Sequence, residues 1–170
     1  MKKINRILVS AAVATVLLNF NVAFAQDSKA WRLGLGGNVG TGIRDPFGVV
    51  LGVDAKLQKD LKGPVSVTLA AGYSRFSVND EYKNFGVAYN VIPLKAGLKV
   101  FANKHLYLSG EVGAGFTTNY KTSTSFVWSP SIGWAFTNGL DLGIKYEDYT
   151  KFHTTKQVAF RIAYGFKLSK

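Results

Sequence analysis

Apolar and polar residues alternate with a period of two along most of this chain. The alternation is nearly strict in VAFRIAYGFKL (158–168), where the residues between the large apolar ones include Arg161 and Lys167. Period two is typical of a β-strand, because successive side chains point to opposite faces of a sheet. The pattern recurs in segments of about ten residues, whereas typical soluble strands run nearer five or six. It predicts eight strands, at 30–40, 49–58, 65–76, 87–101, 106–116, 125–136, 140–149 and 158–168.

The connections between these predicted strands alternate in length. Three are short and rich in turn-forming residues, KDLKGP, ANKH and TNG. Four are longer and polar, TGIRDPF, SVNDEYKNFG, TTNYKTSTS and TKFHTTKQ. A soluble sandwich has no reason to sort its loops in this way. An outer-membrane barrel does, with tight turns in the periplasm and long loops outside the cell.

The two faces of each predicted strand differ in side-chain size. In LDLGIKYE (140–147), bulky apolar residues alternate with small or charged ones. An ordinary half-buried sheet is the alternative interpretation. However, eight bulky faces do not fit inside an eight-stranded barrel, whose interior is only just wide enough for side chains. We therefore expect an all-β fold, a closed eight-stranded antiparallel up-and-down transmembrane barrel with its bulky faces toward lipid.

The first 25 residues resemble a cleaved export signal. A basic start is followed by an apolar stretch at 7–18 and by Ala23-Phe24-Ala25, a small-x-small pattern that signal peptidase reads. The alternative is a transmembrane helix, but a bilayer needs about 20 apolar residues. We predict a signal peptide at 1–25 and a barrel domain at 26–170.

Charge and composition narrow the partners. The formal net charge is +11, and it falls to +8 without Lys2, Lys3 and Arg6 of the predicted signal. Such an excess of positive charge favours a polyanionic partner, either nucleic acid or anionic lipid. The basic residues are scattered singly and the chain is predicted to be exported, so no nucleic acid is expected. The sequence contains no cysteine, which excludes disulfides.

Aromatic residues fall near the ends of the predicted strands. Amphipathic rings favour the membrane interface, so they predict two aromatic girdles, although some of them simply add lipid-facing area. The residues are Trp31, Trp134 and Phe136 near the short turns, and Phe116, Phe126, Trp128, Tyr149 and Phe160 toward the long loops.

Several of these features together resemble a known family. They are the N-terminal signal, eight amphipathic strands, IPLKAGLKVF followed by LYLSGEVGAGF, GIKYEDY, and an aromatic closing strand. The chain resembles the small eight-stranded outer-membrane β-barrels of OmpA/OmpX type over nearly all of 26–170. The resemblance implies a Gram-negative outer membrane, contact with its lipid and lipopolysaccharide, and assembly by the barrel assembly machinery. Such barrels commonly end in an aromatic residue, whereas this chain continues past Phe166 to Lys170.

Charged residues on the small faces are predicted to point into the lumen. Isolated ions away from water are costly, so these charges must pair. The predicted network contains Lys95, Glu111, Asp141, Lys145, Glu147, Arg161 and Lys167, and Arg32, Asp54, Lys56 and Lys99 share the inward faces. A lumen filled in this way excludes a diffusion porin, and a narrow ion or small-solute pore stays an alternative function.

Two pairings in the lumen follow from the predicted strands. The ANKH turn brings Lys95 nearly opposite Glu111, which predicts an ion pair. In the last two strands, one register sets Asp141 opposite Lys167 and Glu147 opposite Arg161, although two such matches also arise by chance.

Catalytic residues are sparse. Of the two histidines, His105 lies beside a short turn, and His153 is followed by two threonines and lacks the His-x-Ser arrangement of lipid A deacylases. No cluster has metal-ligand spacing, so no cofactor or metal is expected.

We expect a non-catalytic barrel with a structural or loop-mediated surface role, and a lipid-modifying enzyme is the less favoured alternative. Candidate contacts of the long loops with a surface ligand, which the sequence does not identify, are Arg44, Phe47, Tyr82, Phe85, Tyr120 and Phe152; solvated loops are the alternative.

Overall fold

The protein is a closed antiparallel barrel of eight strands. The computed structural model describes residues 30–79, 88–118, 123–151 and 155–168. Each strand pairs with the next and β8 pairs with β1, so the predicted all-β up-and-down barrel is confirmed. The strands are β1 (Trp31–Gly42), β2 (Phe47–Asp60), β3 (Val65–Val78), β4 (Tyr89–Phe101), β5 (Leu106–Thr117), β6 (Thr124–Ala135), β7 (Leu140–Tyr149) and β8 (Lys156–Lys167).

The predicted signal peptide at 1–25 lies outside the described residues. Within the described part of the chain, no helix has the length and apolar character needed to cross a membrane.

The connections are sorted by length, with one exception. The short-turn end of the barrel carries 61–64, 102–105 and 136–139, of four residues each. The long-loop end carries 79–88, 118–123 and 150–155, and also 43–46, which is as short as the turns. The expected long first loop is wrong because β1 and β2 pair further than predicted, up to Thr41 opposite Val49.

Local hydrogen bonds and backbone geometry explain the tight turns. The side-chain oxygen of Asn103 accepts hydrogen bonds from the backbone N–H groups of His105 and Leu106, at 2.9 and 2.8 Å. Gly139 has a φ of 97°, a left-handed conformation that favours glycine. These turns therefore need the Asn and Gly residues that the sequence places there.

The polarity of the barrel is the reverse of that of a soluble protein. Large apolar side chains cover the outside; Val53 is 62% exposed and Ile162 is 53% exposed. Charged side chains such as Lys95 and Glu111 are buried inside. Monomeric soluble proteins rarely expose a large contiguous apolar surface to water. A continuous exposed apolar surface of this kind therefore suits a lipid solvent.

An aromatic cluster fills the lumen at the long-loop end. It consists of Val50, Phe76, Tyr89, Val91, Val127 and Tyr149, with Phe47 packed against it. The Phe76 ring lies 5.6 Å from Phe47 and 6.0 Å from Tyr149, between ring centroids, in edge-on contacts. This cluster closes that end of the lumen.

Two sequence-based assignments are corrected by this cluster. Tyr149 was expected in the outer girdle, but it is fully buried inside because β7 keeps its alternation to the last residue. The outward position beside it belongs to Asp148, which pairs with Lys156 at 3.0 Å. Phe47 is the first residue of β2, and its ring packs into the cluster.

The other predicted girdle residues lie on the outer surface at the expected ends. All seven are exposed: Trp31, Trp134 and Phe136 at the short-turn end, and Phe116, Phe126, Trp128 and Phe160 at the long-loop end.

Candidate functional site

Five charged side chains from four strands form a continuous chain of ion pairs across the middle of the lumen. Lys56 contacts Glu111 at 2.5 Å, and Glu111 contacts Lys95 at 3.1 Å. Lys95 also contacts Glu147 at 2.6 Å, and Glu147 contacts Lys145 at 3.4 Å. Acids and bases alternate along this chain, which we call the central network. The alternation lets buried charges compensate one another.

Glu147 is the best-partnered acid of the central network. Its side chain is completely buried. Besides its two lysines, it accepts hydrogen bonds from the Tyr149 hydroxyl at 2.8 Å and from the Gln157 amide at 2.9 Å. Both carboxylate oxygens are therefore bonded, which a buried ion requires.

The predicted ion pair between Lys95 and Glu111 is present, but the two residues are diagonal to one another. Lys95 lies opposite Gly113, and Glu111 lies opposite Gly97. A Cβ atom at either glycine would overlap the backbone of the facing strand. The side chains of Lys95 and Glu111 therefore meet over the two glycines, where the backbones of β4 and β5 lie too close together for a facing side chain.

Two further ion pairs flank the central network. Arg161 of β8 donates to both carboxylate oxygens of Asp54 in β2, with its Nε at 3.1 and 3.0 Å. Lys99 of β4 contacts Asp141 of β7 at 2.8 Å, and Asp141 also accepts a hydrogen bond from the Tyr107 hydroxyl. These pairs join strands that are not neighbours in the sheet: the first spans β1, and the second spans β5 and β6.

The predicted register of β7 and β8 is wrong by four residues. Asp141 lies opposite Ala163, and Glu147 lies opposite Gln157. The inward faces were assigned correctly, but the partners were not, because the lumen is narrow enough for long side chains to meet across it. Opposite charges on neighbouring strands therefore did not need to face one another.

Lys167 differs from the other predicted network residues. It is exposed at the short-turn end of β8, opposite Arg32. None of the ion pairs found among the described residues includes it. The structure brings together Lys95, Glu111, Lys145 and Glu147, with Lys56, which the prediction placed only among the inward residues.

The long-loop end presents several exposed cations. Arg44 lies in the connection 43–46, Lys151 lies in 150–155, and Arg75 points outward near the end of β3. Sequence reasoning missed Arg75, although its position on the bulky face of β3 is readable from the alternation. The candidate contacts Tyr82, Phe85, Tyr120 and Phe152 lie outside the described residues.

The one described histidine has a packing role. The His105 ring stacks on Trp134 with centroids 5.5 Å apart, and its Nδ1 lies 3.0 Å from the backbone oxygen of Ala135. His153 lies outside the described residues. In the described part of the chain, no three His, Asp or Glu residues are grouped so that they could hold a metal ion.

Comparison with known proteins shows the fold. No protein-family model matches the chain, and no curated protein matches it. Among solved structures, the attachment invasion locus protein Ail of Yersinia pestis matches 82% of this chain and 99% of its own, with a TM-score of 0.58 and 15% identity. Ail bound to the heparin analogue sucrose octasulfate matches over the same shares, with a TM-score of 0.57 and 15% identity. A de novo designed transmembrane β-barrel matches 84% of this chain and 100% of its own, with a TM-score of 0.55 and 15% identity.

The apolar outer surface and the inward charges agree with these similarities. A lipid-facing exterior and a closed barrel together suit a lipid bilayer, because strands can satisfy all their backbone hydrogen bonds in lipid only when the barrel has no free edges. The chain therefore has the fold of the small eight-stranded outer-membrane β-barrels of OmpA/OmpX type.

Proposed function

We propose that this protein is a non-catalytic outer-membrane barrel that binds anionic groups at the cell surface through its long-loop end. The observation that carries the proposal is the filled lumen. The aromatic cluster closes one end, and the central network occupies the middle. Because this arrangement prevents passage through the lumen, a partner at the cell surface binds on the long-loop end. The long loops then lie outside the cell and the short turns in the periplasm.

Charge supports an anionic partner. Arg44, Arg75 and Lys151 are exposed at this end. Of the acids described there, Asp148 is paired with Lys156 and Asp45 is exposed beside Arg44, so exposed cations outnumber exposed acids by three to one. Lipopolysaccharide is the nearest polyanion, because its phosphates lie at the level of the outer strand ends, and arginine binds phosphate through two parallel hydrogen bonds. Ail, which shares the fold, was solved with a sulfated heparin analogue. That structure shows that a barrel of this shape can carry a polyanion.

Binding of purified lipopolysaccharide tests this proposal. We expect the triple variant Arg44→Ala/Arg75→Ala/Lys151→Ala to bind about tenfold more weakly, because exposed charge pairs contribute roughly 0.2–1 kcal/mol each. The wild type should also bind more weakly at high salt and to dephosphorylated lipopolysaccharide.

The matched control removes three exposed lysines at the opposite end, Lys62→Ala/Lys104→Ala/Lys167→Ala. It should bind lipopolysaccharide like the wild type. Equal losses in both triple variants would mean that net charge alone, and not the long-loop end, determines binding. Assembly by the barrel assembly machinery stays a separate prediction, which depletion of that machinery in cells tests.

A further inference from the structure

The lumen is open at the short-turn end, where it forms a cavity of about 580 Å³. We call it the short-turn cavity. Its inner boundary is the central network, through Lys56, and its outer rim includes Lys104 and Lys167. Because the aromatic cluster closes the far end, the cavity is a blind pocket that opens only toward the short turns.

The cavity exists because β1 and β8 carry very small inward residues there. Gly34 lies opposite Gly165, and the next inward pair is Gly36 opposite Ala163. Where other strands send lysines or aromatic rings into the lumen, this part of the wall has almost no side chains. The Arg161 side chain lies over this bare wall, with Nη2 2.9 Å from the position that a Gly36 Cβ would take.

Positive charge dominates the walls of the cavity. Asp141 is the one acid among the described residues that line it. The cations that line it are Arg32, Lys56, Lys99, Lys104, Arg161 and Lys167. Four of them pair with an acid: Arg32 with Asp60, Lys56 with Glu111, Lys99 with Asp141, and Arg161 with Asp54.

The other two cations, Lys104 and Lys167, have no acid partner among the described residues. Arg161 also keeps donors available, because its bonds to Asp54 use only Nε and Nη2. A guanidinium carries five N–H donors. The cavity thus combines excess positive charge at its rim with unused donors along its wall.

We propose that the short-turn cavity binds a small multivalent anion that carries phosphate or carboxylate groups. Its volume lies within the roughly 300–1,000 Å³ of small-molecule sites. The barrel wall excludes a folded protein or a duplex from its interior. The buried residue Phe101 also lines the cavity, and its ring gives apolar parts of the anion a surface to pack on. The site is distinct from the long-loop end and lies on the opposite side of the membrane.

Calorimetric titration of the full-length barrel in phosphatidylcholine nanodiscs tests the site. The probes are pyrophosphate and citrate, which separate a phosphate site from a carboxylate site. We expect saturable binding of at least one probe with one site per barrel. The variant Lys104→Ala/Lys167→Ala should lose about tenfold or more in affinity, because it removes the two cations of the site that have no acid partner among the described residues, and hydrogen bonds to charged groups are stronger than neutral ones.

Two further variants locate the binding. Gly165→Leu fills the cavity while leaving every charge in place, and a Cβ there meets only the Gly139 backbone oxygen at an ordinary 3.6 Å. This variant should abolish binding. Lys62→Ala, which removes an exposed cation at the same end of the barrel that does not line the cavity, should bind like the wild type. No binding of either probe, or unchanged affinity in the Lys104→Ala/Lys167→Ala variant, would overturn the proposal; that variant loses only exposed side chains, so its result holds even if Gly165→Leu misfolds.

Discussion

Glu147 shows how a single residue organises the lumen. It contacts Lys95 and Lys145, and it accepts hydrogen bonds from Tyr149 and Gln157. Two of these partners come from its own strand, so the alternation of β7 already places them on the same face. Lys95 comes from β4 across the lumen, and this contact depends on barrel closure. The stabilising effect of Glu147 therefore combines a local and a long-range part.

Removal of this charge should destabilise the barrel strongly. In Glu147→Gln, the amide keeps the shape of the side chain but leaves Lys95 and Lys145 without their shared counterion. We expect a loss of about 3–5 kcal/mol in the free energy of unfolding, the usual cost of breaking a buried ion pair on one side. Urea unfolding in phospholipid vesicles, followed by tryptophan fluorescence, measures it.

The control for this variant is Asp45→Asn, which removes the same charge from an exposed loop position. It should change stability by less than about 0.5 kcal/mol. A similar small effect for Glu147→Gln would contradict the assigned role of the central network.

At the scale of strands, the closure of the barrel sets the register of β8. The strand is paired on both sides, with Gly34 of β1 opposite Gly165 and Leu142 of β7 opposite Ile162. The backbone N–H of Gly165 also donates to the oxygen of Gly139 at 2.8 Å. A register chosen to match charges between β7 and β8 alone ignores the second neighbour, which is why it failed.

Engineered cysteines distinguish the two registers, and the natural chain has no cysteine to interfere. The pair Leu142→Cys/Ile162→Cys should form a disulfide with a membrane-permeant oxidant, because directly opposed residues are about 4.5–5.5 Å apart. The pair Leu142→Cys/Phe166→Cys, which the charge-matched register favours, places its sulfurs about four residues, or roughly 13 Å, apart along the strand. Mass spectrometry reads both results, and a disulfide only in the second pair would restore the charge-matched register.

For the whole molecule, the filled lumen argues against free diffusion through the barrel. The aromatic cluster and the central network block it in series, and each does so with different side chains. The closed sheet has all eight strands paired on both sides, and its outer surface is apolar. The lumen is therefore blocked at its middle and at its long-loop end, and partners can bind only at the long-loop end or in the short-turn cavity.

Planar bilayer recordings test this description. We expect no discrete conductance steps for the wild type. The variant Phe76→Ala/Tyr149→Ala should also lack them, because the central network still spans the lumen after the cluster is reduced. Steps in the wild type would instead support the narrow pore that the sequence left as an alternative.

Much of the fold was readable from the alternation of residues. Period two placed Lys95, Glu111 and Glu147 inside and Val158 and Ile162 outside, and both assignments agree with their burial. The short connection at 43–46 was not readable, because Gly and Thr residues at the end of β1 are equally compatible with a strand and a loop. The short-turn cavity was also not predicted, although Gly34 and Gly165 are visible in the sequence, because their pairing depends on β1 meeting β8.

Which face a residue occupies follows from its chain position, since the side-chain period of a strand is constant and lipid requires the bulky face outside. The partner of each inward charge does not follow from chain position. Arg161 and Asp54 are 107 residues apart, and they meet only because the closed sheet brings β8 and β2 to the same part of the lumen. The face on which each side chain lies is thus determined locally along this chain. The ion-pair partners in the lumen and the short-turn cavity arise only when the barrel closes.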